Sequence, residues 1–274
     1  MATLIPLTYP INDDGVLITT KPPAARLAQQ QSATLELVMR DASGNPVDLS
    51  ADVLAGAGVS LRIIEALSFG VVAPSAVSAV IHNAATGVIR ADIGASTTQT
   101  PGVLLGQCAV EYPPGTYSRI VEFYLIVDRG LFGTVENVGP PSMAEIRAFL
   151  RDNAPEDNYL DKVEFDLTEI ALAIVRPVQI WNETPPPIQR ATTSTFHYRS
   201  AWLDGICSEL LRISAAWYRR NRLAYSAAGV SLDDRNRASE YDAAGAALDQ
   251  RFREFVRLKK IQINVHGFIG GIGS

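Results

Sequence analysis

Apolar residues along this chain follow two different periods, and the change between them falls near the middle. Up to about Val127 they alternate with polar ones. Thr34–Met39 puts Leu35 and Leu37 on one face, Val59–Ile63 alternates likewise, and Val88–Ile93 follows the turn residues Thr86-Gly87. Gln107–Tyr112 and Arg119–Val127 flank Pro113-Pro114-Gly115-Thr116, whose turn chemistry predicts a hairpin. Asp41–Pro46 is a second turn. Short strands at this spacing predict a β-sandwich. Ahead of it, residues 1–15 carry Pro6, Pro10 and Asp13-Asp14-Gly15 without a clear period, and they are expected to form an arm. Ala55–Gly58 and Ala73–Ala79 are rich in small residues and read as loops or irregular strands.

The period then lengthens to that of a helix. Gly133, Gly139, Pro140 and Pro141 break regular structure and mark a boundary. Ser142-Met143-Ala144-Glu145 is a capping-box pattern, so a short helix should follow and bury Ile146, Phe149 and Leu150. Asn153–Asp157, with Pro155, should end it. Asp166-Leu167-Thr168-Glu169 is a second box, opening a helix whose apolar face is Leu167, Ile170, Ile174, Val178 and Trp181. Pro177 inside that span removes an amide donor and crowds the carbonyl four residues back, which predicts a kink near Ala173 or an early end. Asn182–Pro187 reads as a stiff, extended connection.

The longest element is a helical hairpin over Ser200–Leu258. In its first arm Trp202, Ile206, Leu210, Ile213 and Trp217 form one stripe, with Asp204, Ser208, Arg212 and Arg219 off it. Its second arm carries Tyr241, Leu248, Phe252 and Phe255, with Ala244 and Gly245 at small positions. Tyr225–Asn236 is the expected connection, and the arms should lie antiparallel. Beyond them Lys260–Val265 alternates and predicts a single strand, followed by the apolar, glycine-rich Gly267–Ser274. Two readings fit this end. It docks on a neighbouring protein through Ile261, Ile263, Val265, Phe268, Ile269 and Ile272, or it pairs with the sandwich and frays. The expected fold class is α+β. The chain divides into an arm (1–15), a β-sandwich (16–130), a linker (131–141), a helical bundle (142–260) and a C-terminal docking strand with its tail (261–274).

Size and composition narrow the classes. The chain has 274 residues, 47% hydrophobic and 19% charged, enough for two domains and too apolar for disorder. No apolar run is long enough for a transmembrane helix, and Met1–Gly15 lacks the basic and apolar regions of a secretory signal. Cys108 and Cys207 fall in segments of different type and are expected to be buried free thiols of a protein made in a reducing compartment. Net charge is −5, with 7 Lys+Arg against 12 Asp+Glu in Met1–Gly139 and 17 against 17 after it. That balance does not reach the strongly basic profile of a dedicated nucleic-acid binder.

Candidate chemistry is sparse. His82, His197 and His266 are not at metal-ligand spacing from one another or from a cysteine, and no nucleophile-elbow pattern is present. Gly267–Gly273 lacks the lysine of a phosphate loop. The paired carboxylates Asp13-Asp14, Glu156-Asp157 and Asp233-Asp234 read as turn or helix-start residues. No catalytic, metal or cofactor site is therefore expected. Arg219-Arg220-Asn221-Arg222 is the densest basic patch. It reads first as a solvated helix end favoured by the helix dipole, and alternatively as part of a DNA-facing channel formed by Arg219, Arg220 and Arg222. Trp202 and Trp217 are expected in the core, and Trp181 either in the core or at an interface.

Two partial resemblances add a function. Thr34–Met39, the run from Asp41 to Leu49 and Val59–Ile63 resemble the N-terminal immunoglobulin-like domain of phage baseplate upper proteins. Met143–Leu150, Phe165–Ile174, the long hairpin and the C-terminal tail are similar to head–tail connector proteins of the adaptor, or neck, type in tailed phages. The second resemblance implies a non-enzymatic virion subunit, made in the host bacterial cytoplasm and placed at the neck. It would form a twelve-fold ring of its own copies and dock on the portal protein through residues 261–274. The next tail or neck component, fibres and passing DNA would be further contacts, and a membrane would not. The β-domain in front and Pro185–Pro187 depart from simple adaptors. Alternatives are a baseplate or fibre-anchoring protein and, from a different class, a carbohydrate-binding or hydrolytic module.

Overall fold

The computed structural model describes residues 3–10, 22–40, 45–54, 56–67, 79–111, 117–129, 139–152, 163–221, 224–227, 230–233 and 236–270. The chain forms two compact units. One comprises Met1–Gly139 with Thr192–Thr195, and the other Pro140–Ala191 with Phe196–Ser274.

The first unit is built from β1 (Thr3–Pro10), β2 (Ala24–Ala28), β3 (Ala33–Arg40), the short helix α1 (Ser50–Leu54), β4 (Gly58–Glu65), β5 (Ala79–Asn83), β6 (Val88–Ile93), β7 (Gly102–Glu111) and β8 (Tyr117–Asp128). These strands make two four-stranded sheets, ordered β1-β3-β6-β5 and β2-β8-β7-β4. Both contribute to one apolar core. Leu35, Leu37, Ile89 and Ile93 come from the first sheet, and Leu61, Cys108, Phe123 and Leu125 from the second. Alternation along β3 is complete, every second residue from Ala33 to Met39 being buried. The expected hairpin is the antiparallel pair β7–β8, where Gly106 faces Phe123 across the ladder. A Cβ on Gly106 would lie 2.1 Å from Phe123 Cζ, so only glycine lets that ring lie over β7. The turn between these strands lies outside the described residues, as do residues 41–44 of the second turn.

One expectation fails in this unit, and one strand went unpredicted. Residues 3–10 are not an arm but a strand, paired parallel with β3, and Leu7 is buried in the core. Pro6 and Pro10 hid it. Proline cannot donate to a ladder, yet β1 is the edge of its sheet and needs donors on one side only. The strand β2, parallel to β8, was not singled out by the sequence at all. Its five residues, Ala-Ala-Arg-Leu-Ala, give too short an alternation to register. Thr192–Thr195 completes the unit. Thr193 Oγ1 accepts from the Val103 amide at 3.0 Å, and Ser194 Oγ donates to Glu65 Oε1 at 2.9 Å.

The second unit contains α2 (Met143–Leu150), α3 (Leu167–Glu183), α4 (Arg199–Arg220), β9 (Ala224–Ala227), β10 (Val230–Asp233) and α5 (Arg237–Gly270). Both capping boxes form. Ser142 and Glu145 cap α2 reciprocally, and Asp166 and Glu169 do so for α3. Each box supplies partners for amides that a helix start leaves orphaned. In α2, Met143 and Ile146 are buried but Phe149 is exposed. In α3 the expected face is buried at Ile170, Ile174, Val178 and Trp181 but only half-buried at Leu167, and Ala171, Val175 and Ile180 beside it are buried too.

Pro177 does not end α3, which runs on to Glu183. Gly205 of α4 makes room for it. A Cβ there would stand 2.8 Å from Pro177 Cγ and 3.3 Å from Phe252 Cδ2 of α5. Three helices thus meet at one glycine, and the Pro177 ring is buried among them. In α4 the stripe holds at Trp202, Ile206 and Leu210 but not at Trp217, which is 58% exposed. Ser208, expected in water, is buried. With α3 on one side and α5 on the other, α4 buries two faces, and a single stripe describes only one of them.

The expected connection over Tyr225–Asn236 is a β-hairpin, β9 pairing antiparallel with β10 in the register Tyr225–Leu232. The largest correction concerns the C-terminus. The expected strand at Lys260–Val265 does not exist; α5 continues as one helix through Gly270. In its second half the buried residues are Phe252, Val256 and Lys260, at steps of four. A lysine in the third position breaks the apolar stripe and leaves the alternation of Ile261, Ile263 and Val265 as the louder signal.

Candidate functional site

The end of α5 has two contrasting faces. On one, Lys260 is fully buried, with 0% of its surface exposed. Its Nζ donates to the carbonyls of Pro186, at 3.2 Å, and Ile188, at 2.9 Å, and stands 4.7 Å from the centre of the Trp181 ring. Burial of an ammonium is costly without acceptors, and these two carbonyls and the ring face supply them. The same burial pushes the lysine's pKa below its ordinary value. The segment after α3 is positioned for this contact by α3 itself. Trp181 Nε1 donates to Gln189 O at 2.7 Å, and Asn182 exchanges two hydrogen bonds of 2.8 Å with Ala191. Phe196 packs edge-on against Trp181 and Trp202, and Tyr198 against Phe255.

On the other face Leu258, Ile261 and Val265 are 67%, 48% and 48% exposed. Arg257 lies beside them, exposed as well. Covering three such side chains is worth on the order of 3 kcal/mol. The helix is therefore anchored through its Lys260 side while it offers an apolar stripe on the opposite side.

A second feature lies where α4 meets the segment leading into α3. A cavity of about 310 Å³ is lined by Val163, Glu164, Ile213, Trp217 and Tyr218, among others. Glu164 accepts from Ser214 Oγ at 2.7 Å and from the Tyr241 hydroxyl at 3.1 Å. Tyr241 stacks on Tyr218, with centroids 5.4 Å apart, and the Arg237 guanidinium lies 5.8 Å from the Tyr218 ring centre. Burial, and then the Glu164 charge, push the Tyr241 phenol well above its ordinary pKa. Glu164 thus has donors from α4 and α5 and serves to fasten them.

The residues singled out from sequence are distributed as follows. Ile261 and Val265 are exposed on α5, and Ile263 is half-buried. Phe268 and Ile269 belong to the same helix, with side chains outside the described ones, and Ile272 lies outside the described residues. Arg219 is paired with Asp242 of α5, which directs its charge into the hairpin. Arg220 is exposed at the end of α4, and Arg222 lies outside the described residues. Trp181 and Trp202 are in the core. Cys108 and Cys207 are free and buried in separate units, each thiol pushed up to about 12. Lys260, Glu164 and Tyr241 were missed as anchoring residues. For Lys260 a signal did exist, since it stands four and eight residues after the apolar Val256 and Phe252.

Among the described residues no group of three His, Cys, Asp or Glu could hold a metal ion. No helix among them is long and apolar enough to cross a membrane. No protein-family profile matches the chain, and no curated protein does. Among solved structures, the chain is similar to the N-terminal domain of phage TP901-1 ORF48, at 16% sequence identity and a TM-score of 0.32. The match covers 46% of this chain and 98% of that one.

Proposed function

We propose that the chain is a structural subunit of a tailed-phage particle, without catalysis of its own, placed in the baseplate or at the anchor of a fibre. The observation that carries this reading is the end of α5. A helix fixed by a buried lysine and bearing exposed Leu258, Ile261 and Val265 is suited to being covered by another protein. The sequence resemblance to phage structural proteins supplies the setting. Its neck version drew on an extended C-terminal tail, and α5 takes the place of that tail through Gly270. The β-sandwich in front, which simple adaptors lack, favours the baseplate or fibre position.

A head–tail connector subunit, closing a ring on the portal, is the second reading. The antiparallel hairpin of α4 and α5, joined by Arg219–Asp242 and Arg251–Asp204 ion pairs, favours it. Gold-labelled antibody against this chain, applied to purified particles, separates the two. Label at the distal tail supports the baseplate or fibre anchor, and label at the head–tail junction supports the connector. Absence of label, together with absence of the chain from disrupted particles by mass spectrometry, would sink both.

A further inference from the structure

The cavity between α4 and the start of α3 has one aromatic wall turned to water. Trp217 lines it and is exposed, whereas Trp181 and Trp202 are buried and donate their indole N–H groups to the Gln189 and Ile174 carbonyls. Trp217 meets Tyr218 at 89°, with centroids 5.0 Å apart. Tyr218 is already stacked on Tyr241 and carries the Arg237 guanidinium over its ring. An open aromatic face in this cavity is therefore that of Trp217.

The rest of the lining is acidic and apolar. Glu164, Asp166 and Glu169 bring carboxylates, and among the described lining residues there is no Lys, Arg or His. Glu164 accepts from the Ser214 and Tyr241 hydroxyls, neutral donors that leave its charge in place. Asp166 and Glu169 each accept from an amide at the start of α3, where they also answer the helix dipole. At about 310 Å³ the space is at the small end of ligand cavities, the size for one side chain rather than an extended molecule. A negative site with an indole face suits a cation that is flat. A guanidinium stacks on the ring and forms paired hydrogen bonds with a carboxylate, which a lysine ammonium does not.

We infer that this cavity takes an arginine side chain of a partner protein, stacked on Trp217 and paired with Glu164. Only the existence of a partner rests on the structural role proposed above; the site itself is tested alone. The full chain, labelled with 15N at its three indoles, is titrated with Nα-acetyl-arginine amide and observed by NMR. The Trp217 signal, identified by its loss in Trp217→Ala, should move saturably, with a Kd on the order of millimolar. The Trp181 and Trp202 signals should stay in place. Nα-acetyl-citrulline amide, the neutral isostere, should leave all three unmoved. Free L-arginine should bind more weakly than the blocked amide, since no cation in the lining answers its carboxylate. Glu164→Gln should weaken binding about tenfold. Trp217→Ala, at an exposed position, should weaken it about threefold or more, read by saturation transfer to the probe. Unchanged circular dichroism certifies both variants. No saturable shift, an equal response to citrulline, tighter binding of free arginine, or wild-type affinity in either variant would overturn the inference. A chain that binds the probe but is absent from particles would sink the structural role and leave the site standing; a chain that labels particles but ignores the probe would do the reverse.

Discussion

The Lys260 ammonium stands 4.7 Å from the centre of the Trp181 ring, on the buried face of the last helix. This contact joins α5 to the end of α3, and the Pro186 and Ile188 carbonyls complete it. Lys260→Met keeps the length of the side chain but leaves both carbonyls without their donor. The variant should lose about 1.5–3 kcal/mol of stability, the scale of a hydrogen bond to a charged group. Urea unfolding followed by tryptophan fluorescence would show it, because all three tryptophans belong to the second unit. A loss below 0.5 kcal/mol would mean that the buried ammonium is merely tolerated.

Gly205→Ala tests the junction of three helices. Alanine would gain up to about 1 kcal/mol in helix propensity. Its Cβ would meet the rigid Pro177 ring at 2.8 Å, and overpacking of that kind costs about 1–3 kcal/mol. Net destabilisation is expected. The double variant with Pro177→Ala should recover most of it, since the ring is removed and the missing amide donor restored. Additive losses in that cycle would show that the two residues do not meet as described.

The β-sandwich was legible in the sequence because its strands have one buried face, and period-two alternation reports that directly. Leu35, Leu37, Leu61, Ile63, Ile89 and Ile93 were all readable this way. What failed were elements whose composition argues against their structure. Pro6 and Pro10 disguised an edge strand, and Lys260 disguised a helix by occupying a core position. The helix starts at Ser142 and Asp166 were legible because a capping box is a local chemical event. The faces of α4 were not, because a helix with neighbours on both sides has no single stripe. The candidate site was half visible. Ile261 and Val265 stood out as apolar, while the face they share with Leu258 exists only once the segment is helical.

Gly106→Ala probes the other unit by itself. The new Cβ would fall inside the Phe123 ring, whose atoms stand 2.1–2.7 Å from it. Destabilisation of about 3 kcal/mol is expected, at the upper end of overpacking costs. Combination with Phe123→Leu should return part of the loss. Limited proteolysis of Met1–Gly139 within the full chain would report it, with tryptophan fluorescence unchanged.

Alkaline pH should weaken the second unit through Tyr241. Its phenol has a pKa raised above the unfolded value of 10.0, first by burial and then by Glu164. The folded state therefore holds this proton more tightly than the unfolded state. Its contribution is fully present below pH 10.0 and is lost as pH rises through the folded value. Urea unfolding at pH about 9 and about 11 should show a drop in wild type that Tyr241→Phe reduces. Equal drops in both would remove Tyr241 from the account.

The end of α5 carries the functional reading, so its direct test is made in particles. The Ile261→Asp chain would be supplied in place of the wild type during phage growth, and its copies per purified particle counted by quantitative mass spectrometry. A folded chain that is missing from particles, or reduced at least tenfold, is expected. Incorporation at the wild-type level would contradict that reading, since the exposed face of the last helix would then play no part in assembly.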